Sequence, residues 1–274
     1  MSDGREVGFQ PKIIAVANQK GGVGKTTTAI NLGTGLALSG KRVLLIDIDP
    51  QGNASTGLGL TADKRALTSY DLLLTDVAPA DVVYETQVEN LLLVPSTTDL
   101  SSADVDLAET SGRAVQLRRI LRGRGLESLQ LDYILIDCPP SLNLLTVNAM
   151  VAAHSVLVPL QCEFFALEGL SQLMLSIRDV RQSLNPELRI EGVVLTMFDV
   201  RNNLSQQVER DVRDNLGDLV FTTIIPRNVR LSEAPSFAMP ALIYDAASKG
   251  SVAYKMLAAE MLQRHKSPLQ PVRI

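Results

Sequence analysis

A chain of 274 residues with 46% hydrophobic content can bury one large core or two small ones. Aromatic residues make up only 4% and tryptophan is absent, so the core must be aliphatic, which suits a parallel sheet covered by helices on both faces. The formal net charge of −4 excludes a global attraction for nucleic acid, and any such binding must come from a local patch.

Residues 1–10 read as a polar tail without the apolar stretch of a signal peptide. Only 17 residues precede Asn18, too few for a separate helix-turn-helix reading domain. An apolar run over 13–17 predicts a strand, and residues 28–39 carry apolar positions at helical spacing. Between them lies Asn18-Gln19-Lys20-Gly21-Gly22-Val23-Gly24-Lys25-Thr26-Thr27, and strand, glycine-rich turn and helix together are the context of a phosphate-binding loop. Gly21, Gly22 and Gly24 let the backbone turn its N–H groups around phosphate oxygens, and the helix that follows aims its positive end at the same anion. Lys25 can reach the β- and γ-phosphates and the Thr26 hydroxyl can ligate Mg²⁺. The usual first glycine of the pattern is replaced by Gln19, and a second lysine, Lys20, stands at the mouth of the loop.

Gly40 stops the helix, and 43–46 predicts a buried second strand that ends in Asp47-Ile48-Asp49-Pro50-Gln51-Gly52-Asn53. Carboxylates at the carboxyl end of a parallel strand sit where such sheets bind ligands, so one can orient a water and another can hold a metal's water shell. Residues 54–90 predict little, and Gly57 and Gly59 suit a turn. A short strand over 90–95 precedes a loop and helix over 96–122. Arg113, Arg118, Arg119, Arg122 and Arg124 could bind a phosphate backbone, although a solvated helix face is the commoner reason for such charge. The strand over 131–137 ends in Asp137, the form of a Walker B element whose carboxylate holds Mg²⁺ through water, and Pro139-Pro140 then turns the chain.

Cys138 and Cys162 lie outside any CxxC pair, which points to a reduced setting, and Cys138 reads as a buried small hydrophobe. The apolar stretch over 149–160 is too short to span a bilayer. Further strands over 156–160, 191–197 and 219–225 alternate with helices over 166–183 and 204–216, and a last helix runs over 248–264. His154 and His265 flank no metal-like spacing, and His265 suits a helix C-terminus.

The loop with its extra lysine, Lys20, resembles the deviant Walker A loop of the ParA/MinD family of dimerising ATPases. The segment Pro226-Arg227-Asn228-Val229-Arg230-Leu231-Ser232-Glu233-Ala234-Pro235-Ser236 resembles the chromosomal ParA, or Soj-like, branch, and four motif blocks in the family's order cover residues 11–264. The resemblance implies a doubly wound, mostly parallel α/β sheet with helices on both faces, as one ATPase domain over 11–266 between tails at 1–10 and 267–274. It implies ATP and ADP as ligands, with Mg²⁺. Lys20 to Thr27, including Val23, would then wrap the phosphates, while Asp49 positions the hydrolytic water with Asp47 in support. Thr26 and Asp137 would serve the metal, and Pro226 and Asn228 would line the adenine.

The same resemblance implies a homodimer when ATP is bound, with Lys20 reaching into the partner's phosphates. That dimer would bind double-stranded DNA without sequence preference through Arg201 and Arg230, in the cytoplasm and on the nucleoid rather than at a membrane. A ParB-like partner would stimulate hydrolysis. Ala238-Met239 stand where the branch has Gly-Lys, which removes one candidate cation. A MinD-like division-site ATPase calls for a basic amphipathic C-terminal helix, which the proline-containing tail lacks, and an iron–sulfur carrier needs clustered cysteines. The match over 226–236 argues against an amide-forming ligase.

Overall fold

A computed structural model describes residues 10–108 and 112–266. Seven strands form one sheet: β1 (Lys12–Val16), β2 (Val43–Asp47), β3 (Tyr84–Glu85), β4 (Leu91–Val94), β5 (Tyr133–Asp137), β6 (Ser155–Gln161) and β7 (Arg189–Thr196). Their spatial order is β3-β4-β2-β5-β1-β6-β7, and all neighbours are parallel except the antiparallel edge pair β3–β4. Successive residues of a strand face opposite sides, and here both sides are covered. Ile13, Ala15, Leu44, Ile46, Ile134 and Ile136 therefore belong to one buried cluster, while Ile14, Val16, Val43, Leu45 and Leu135 belong to the other. This is why the strands read as unbroken apolar runs rather than alternating ones.

The helices are α1 (Lys25–Leu38), α2 (Asn53–Gly57), α3 (Ser69–Leu74), α4 (Ala103–Ala108), α5 (Gln116–Leu121), α6 (Leu144–Ala152), α7 (Ala166–Ser183), α8 (Asn203–Leu216), α9 (Val229–Glu233), α10 (Ala241–Tyr244) and α11 (Lys249–Lys266). Leu32 and Leu36 of α1 share one core with Leu257 and Met261 of α11. Leu117 of α5, Ala149 of α6, Leu173 of α7 and Val212 of α8 cover the opposite face. The sheet is thus wound in both directions from β1, as expected for a doubly wound α/β protein. Among the described residues no helix is long and apolar enough to cross a membrane.

One predicted strand does not form. Over 219–225 the chain runs extended beside β7, with Phe221 N–H donating to Val193 O at 2.9 Å and Ile225 N–H to Leu195 O at 2.8 Å. Between those two points the Glu260 carboxylate of α11 accepts the N–H groups of Thr222 and Thr223, both at 2.8 Å. Arg264, one turn further along α11, donates to Val220 O at 3.0 Å and stacks over the Phe221 ring at 4.0 Å. The helix captures the backbone groups that a ladder would need, and only isolated bridges at Val193–Val220 and Phe198–Pro226 remain.

Candidate active site

The order β2-β5-β1 brings three strand ends level. In register, Asp47 lies beside Asp137 and Asp137 beside Val16, so the loops after these strands emerge side by side at the carboxyl edge of the sheet. That adjacency converts three motifs far apart in sequence into one site.

The glycine-rich loop enters α1 through Gly24, the residue before the helix, in the left-handed region at φ 88°, and Gly22 sits at φ 76°. Both conformations favour glycine over any residue with a Cβ. No side chain caps α1, and its first turn carries no acid, so its leading N–H groups stay available to an anion. Lys25 is only 6% exposed and folds back so that Nζ donates to Lys20 O at 3.0 Å. Burial lowers its pKa, and the neighbouring Asp137, Cys138 and Asp49 oppose that shift.

Asp47 is fully buried, accepting from Asp49 N–H at 3.2 Å on Oδ1 and from Ser55 N–H and Oγ–H at 2.9 and 2.7 Å on Oδ2. Burial still outweighs these hydrogen bonds and holds its pKa up at about 6. Asp137 is pushed well above the usual carboxylate range, by burial first and then by Asp47. The Thr26 hydroxyl and Lys25 lie near enough to oppose this, yet neither Asp137 oxygen has a well-directed hydrogen bond among the described residues. A buried carboxylate with idle oxygens beside a threonine hydroxyl suits a hydrated divalent cation. Asp49, 7% exposed, has Oδ1 fixed by the Gln51 N–H at 3.0 Å.

A cavity of about 280 Å³ adjoins α1, walled by Thr27, Ile30, Asn53, Leu231 and Pro235. Pro226 bridges to Phe198, and Arg227 N–H donates to Phe198 O at 2.9 Å, so the loops over 197–202 and 226–230 lie together. Asn228 caps α9 by accepting Arg230 N–H at 2.9 Å. The side chains of Arg201 and Arg230 are 85% and 48% exposed. Each is held by acids of its own chain: Arg201 by a two-pronged contact with Asp199 at 3.0 and 2.9 Å, Arg230 by Glu233 at 2.8 Å and Asp245 at 3.3 Å.

Two participants escaped the sequence reading. Ser55 engages Asp47, as above. Glu163, just past β6, forms an ion pair with Lys20, and the adjacent Phe164 and Phe165 rings, packed edge to face, are 76% and 59% exposed. The rule that singled out Asp49, a carboxylate at the carboxyl end of a parallel strand, also fits Glu163 and could have found it. Cys138 is fully buried with its thiol pKa pushed up by burial, as expected of a small hydrophobe.

Residues 11–190 match a family model described as an AAA domain. The chain is 56% identical to the chromosome partitioning protein ParA of Caulobacter vibrioides, over 93% of this chain and 95% of that protein. It is 52% identical to the sporulation initiation inhibitor protein Soj of Bacillus subtilis, over 91% and 98%. Among solved structures it resembles, at TM-score 0.80 and 39% identity over 94% of this chain and 96% of that one, a cobyrinic acid a,c-diamide synthase from Mycobacterium smegmatis with bound ADP and magnesium. With the partition proteins nearer in sequence than that synthase and the phosphate loop and strand-end carboxylates in place, the chain belongs to the ParA/Soj family of chromosome-partitioning ATPases.

Proposed function

We propose that this ATPase is a switch that dimerises on ATP, holds DNA without sequence preference, and releases it after hydrolysis stimulated by a ParB-like protein bound to the cargo. The observation that carries the reading is the buried set Lys25, Asp49 and Asp137, with the half-buried Thr26, at the open end of α1, and Lys20 beside it on the rim.

In this reading the N–H groups of Gly21 to Thr27 cradle the phosphates of ATP or ADP, and Lys25 neutralises charge at the transferred group. Thr26 and Asp137 would hold Mg²⁺, which supplies charge neutralisation across the phosphates when bound. Asp49 orients the attacking water through Oδ2, which no hydrogen bond engages among the described residues. Asp47, fixed by Ser55 and the Asp49 backbone, is a positioning residue that holds the 47–55 turn. Pro226 and the free amide of Asn228 flank the adenine. Lys20 crosses to a partner subunit's phosphates, which requires it to leave Glu163.

Arg201 and Arg230 supply phosphate contacts, doubled by dimerisation and steered by adjoining loops. Their carboxylate partners set a threshold, since DNA must outcompete Asp199, Glu233 and Asp245, and release of counterions from the contacted phosphates makes binding fall steeply with salt. Binding to a random-sequence duplex, with ATP, with ADP or without nucleotide across a salt series, tests the reading. Tight salt-sensitive binding with ATP alone supports it. Equal binding in all three states, or none, overturns the switch. Arg201→Glu should abolish DNA binding with ATP-dependent dimerisation intact, and unchanged affinity would remove Arg201 from the surface.

A further inference from the structure

At the opposite, amino edge of the sheet lies a cavity of about 750 Å³, bounded by the starts of β1, β5 and β6 and by the turn after α5. With β1 five residues long at about 3.3 Å each, it is roughly 16 Å from the phosphate loop. We propose that this cavity binds a small phosphorylated molecule with an apolar or aromatic body.

Three donors line the cavity, and no carboxylate among the described residues forms an ion pair with them. Arg122 makes no ion pair among the described residues, and its Nε is buried without a hydrogen-bond partner. Arg124, two residues on, stands at the exposed rim and likewise enters no ion pair among the described residues. His154 accepts the Ile13 N–H on Nδ1 at 2.9 Å, which places the neutral ring's proton on Nε2. Burial, followed by the charges of Arg122 and Lys12, keeps that ring neutral and so a fixed donor.

Two carboxylates temper the field. Glu127 stands on the same rim, and Glu187 lines an adjoining cavity of about 400 Å³ that also includes His154. Neither closes on a guanidinium.

A buried polar group left unpaired is costly, so an idle guanidinium nitrogen inside a cavity points to a missing acceptor. Planar guanidinium forks match phosphate oxygens, and the volume falls in the usual range for small-molecule sites, about 300–1,000 Å³. The remaining walls, Ile13, Leu126 and Leu131, are buried and apolar and would receive the body that carries the phosphate. Duplex DNA is a poor fit, because its rigid backbone cannot reach a recessed Nε.

Calorimetric titration of the full chain, its phosphate loop saturated with ADP and Mg²⁺, provides the test, with phenyl phosphate and guanosine 5′-monophosphate as probes. The expected result is saturable one-to-one binding of at least one probe. Arg122→Gln and Arg124→Gln should each weaken it about tenfold or more without altering ADP affinity. The ¹⁵N resonance of His154 Nε2 should move on addition of the same probe. Absence of heat and of a His154 shift with both probes at about 1 mM, the weak end of ligand affinity, overturns the proposal. Binding undiminished in both variants does the same. Should Arg122→Gln fail to fold, the rim variant Arg124→Gln and the resonance shift still decide.

Discussion

The two ends of this sheet each bury charge, and they treat it in opposite ways. At the carboxyl end Asp137 has two buried oxygens without a well-directed partner among the described residues, and Asp47 remains raised to about 6 despite three hydrogen bonds. At the amino end Glu191 of β7 is satisfied on both oxygens. It accepts from His265 Nε2 at 2.6 Å and Ser155 Oγ at 2.5 Å and pairs with Lys12 at 3.4 Å, while the Tyr133 hydroxyl meets His265 Nδ1 at 2.9 Å. Burial alone would raise Glu191, but these partners overturn that and hold it at about 2. A saturated cluster fastens the end of α11 to the sheet. An unsaturated one keeps a standing electrostatic demand that a ligand can meet, which is the usual mark of a working site.

The largest effect should come from removing the demand. Asp137→Asn should lower Mg²⁺-dependent ATP hydrolysis by about a hundredfold or more. It should also stabilise the nucleotide-free protein at neutral pH, by about 1–3 kcal/mol, because a buried uncompensated charge disappears. The sign with pH follows from the raised pKa. The folded protein binds this proton more tightly than the unfolded chain, so the penalty is absent below the ordinary value of 3.8 and grows as pH rises above it. The variant's gain should therefore vanish near pH 4 and appear on the way to neutrality. Denaturant unfolding against pH measures this, and a variant less stable than the parent at pH 7 would break the contrast between the two ends.

Glu191→Gln probes the other end and should do the reverse. Breaking a buried, hydrogen-bonded pair costs about 2–4 kcal/mol at neutral pH, while ATP hydrolysis per folded molecule stays unchanged. Because Glu191 is held near 2 against an ordinary 4.5, its stabilisation is complete above pH 4.5 and is lost as pH falls toward 2. The difference between parent and variant should shrink over that interval. A difference constant with pH would mean that packing, not charge, holds the end of α11.

This contrast was only half legible in the sequence. The phosphate loop, the carboxylates after β2 and the Walker B aspartate announce themselves because each needs particular residues at fixed local spacing. The buried strands do so because both their faces are covered. Lys12, Glu191 and His265 carry no such signal, since their meeting depends on how α11 docks, and His265 read only as a helix end. The misread strand over 219–225 has the same cause: its apolar pattern is genuine, but Glu260 and Arg264, some forty residues on, take its backbone groups. The short edge strand β3, two residues long, left no pattern to read.

The smallest effect concerns Glu163, which forms an ion pair with Lys20 on the rim of the working end. The ion pair with Lys20 is partly exposed, with 41% and 31% of the two side chains open to solvent. Such pairs are worth about 0–1 kcal/mol, so freeing Lys20 can shift an equilibrium by at most about fivefold. Glu163→Gln removes the charge with little change of shape. If Lys20 must leave Glu163 before it can reach a partner's phosphates, the variant should form the ATP-dependent dimer at a concentration lowered by at most about the square of that factor, because two subunits are freed, measured by sedimentation equilibrium or light scattering. Nucleotide affinity of the monomer should not change, because Lys20 contributes only its backbone to the monomer's own loop. A weaker dimer would reverse the assignment and make Glu163 a contact of the assembled state rather than a restraint on the free subunit.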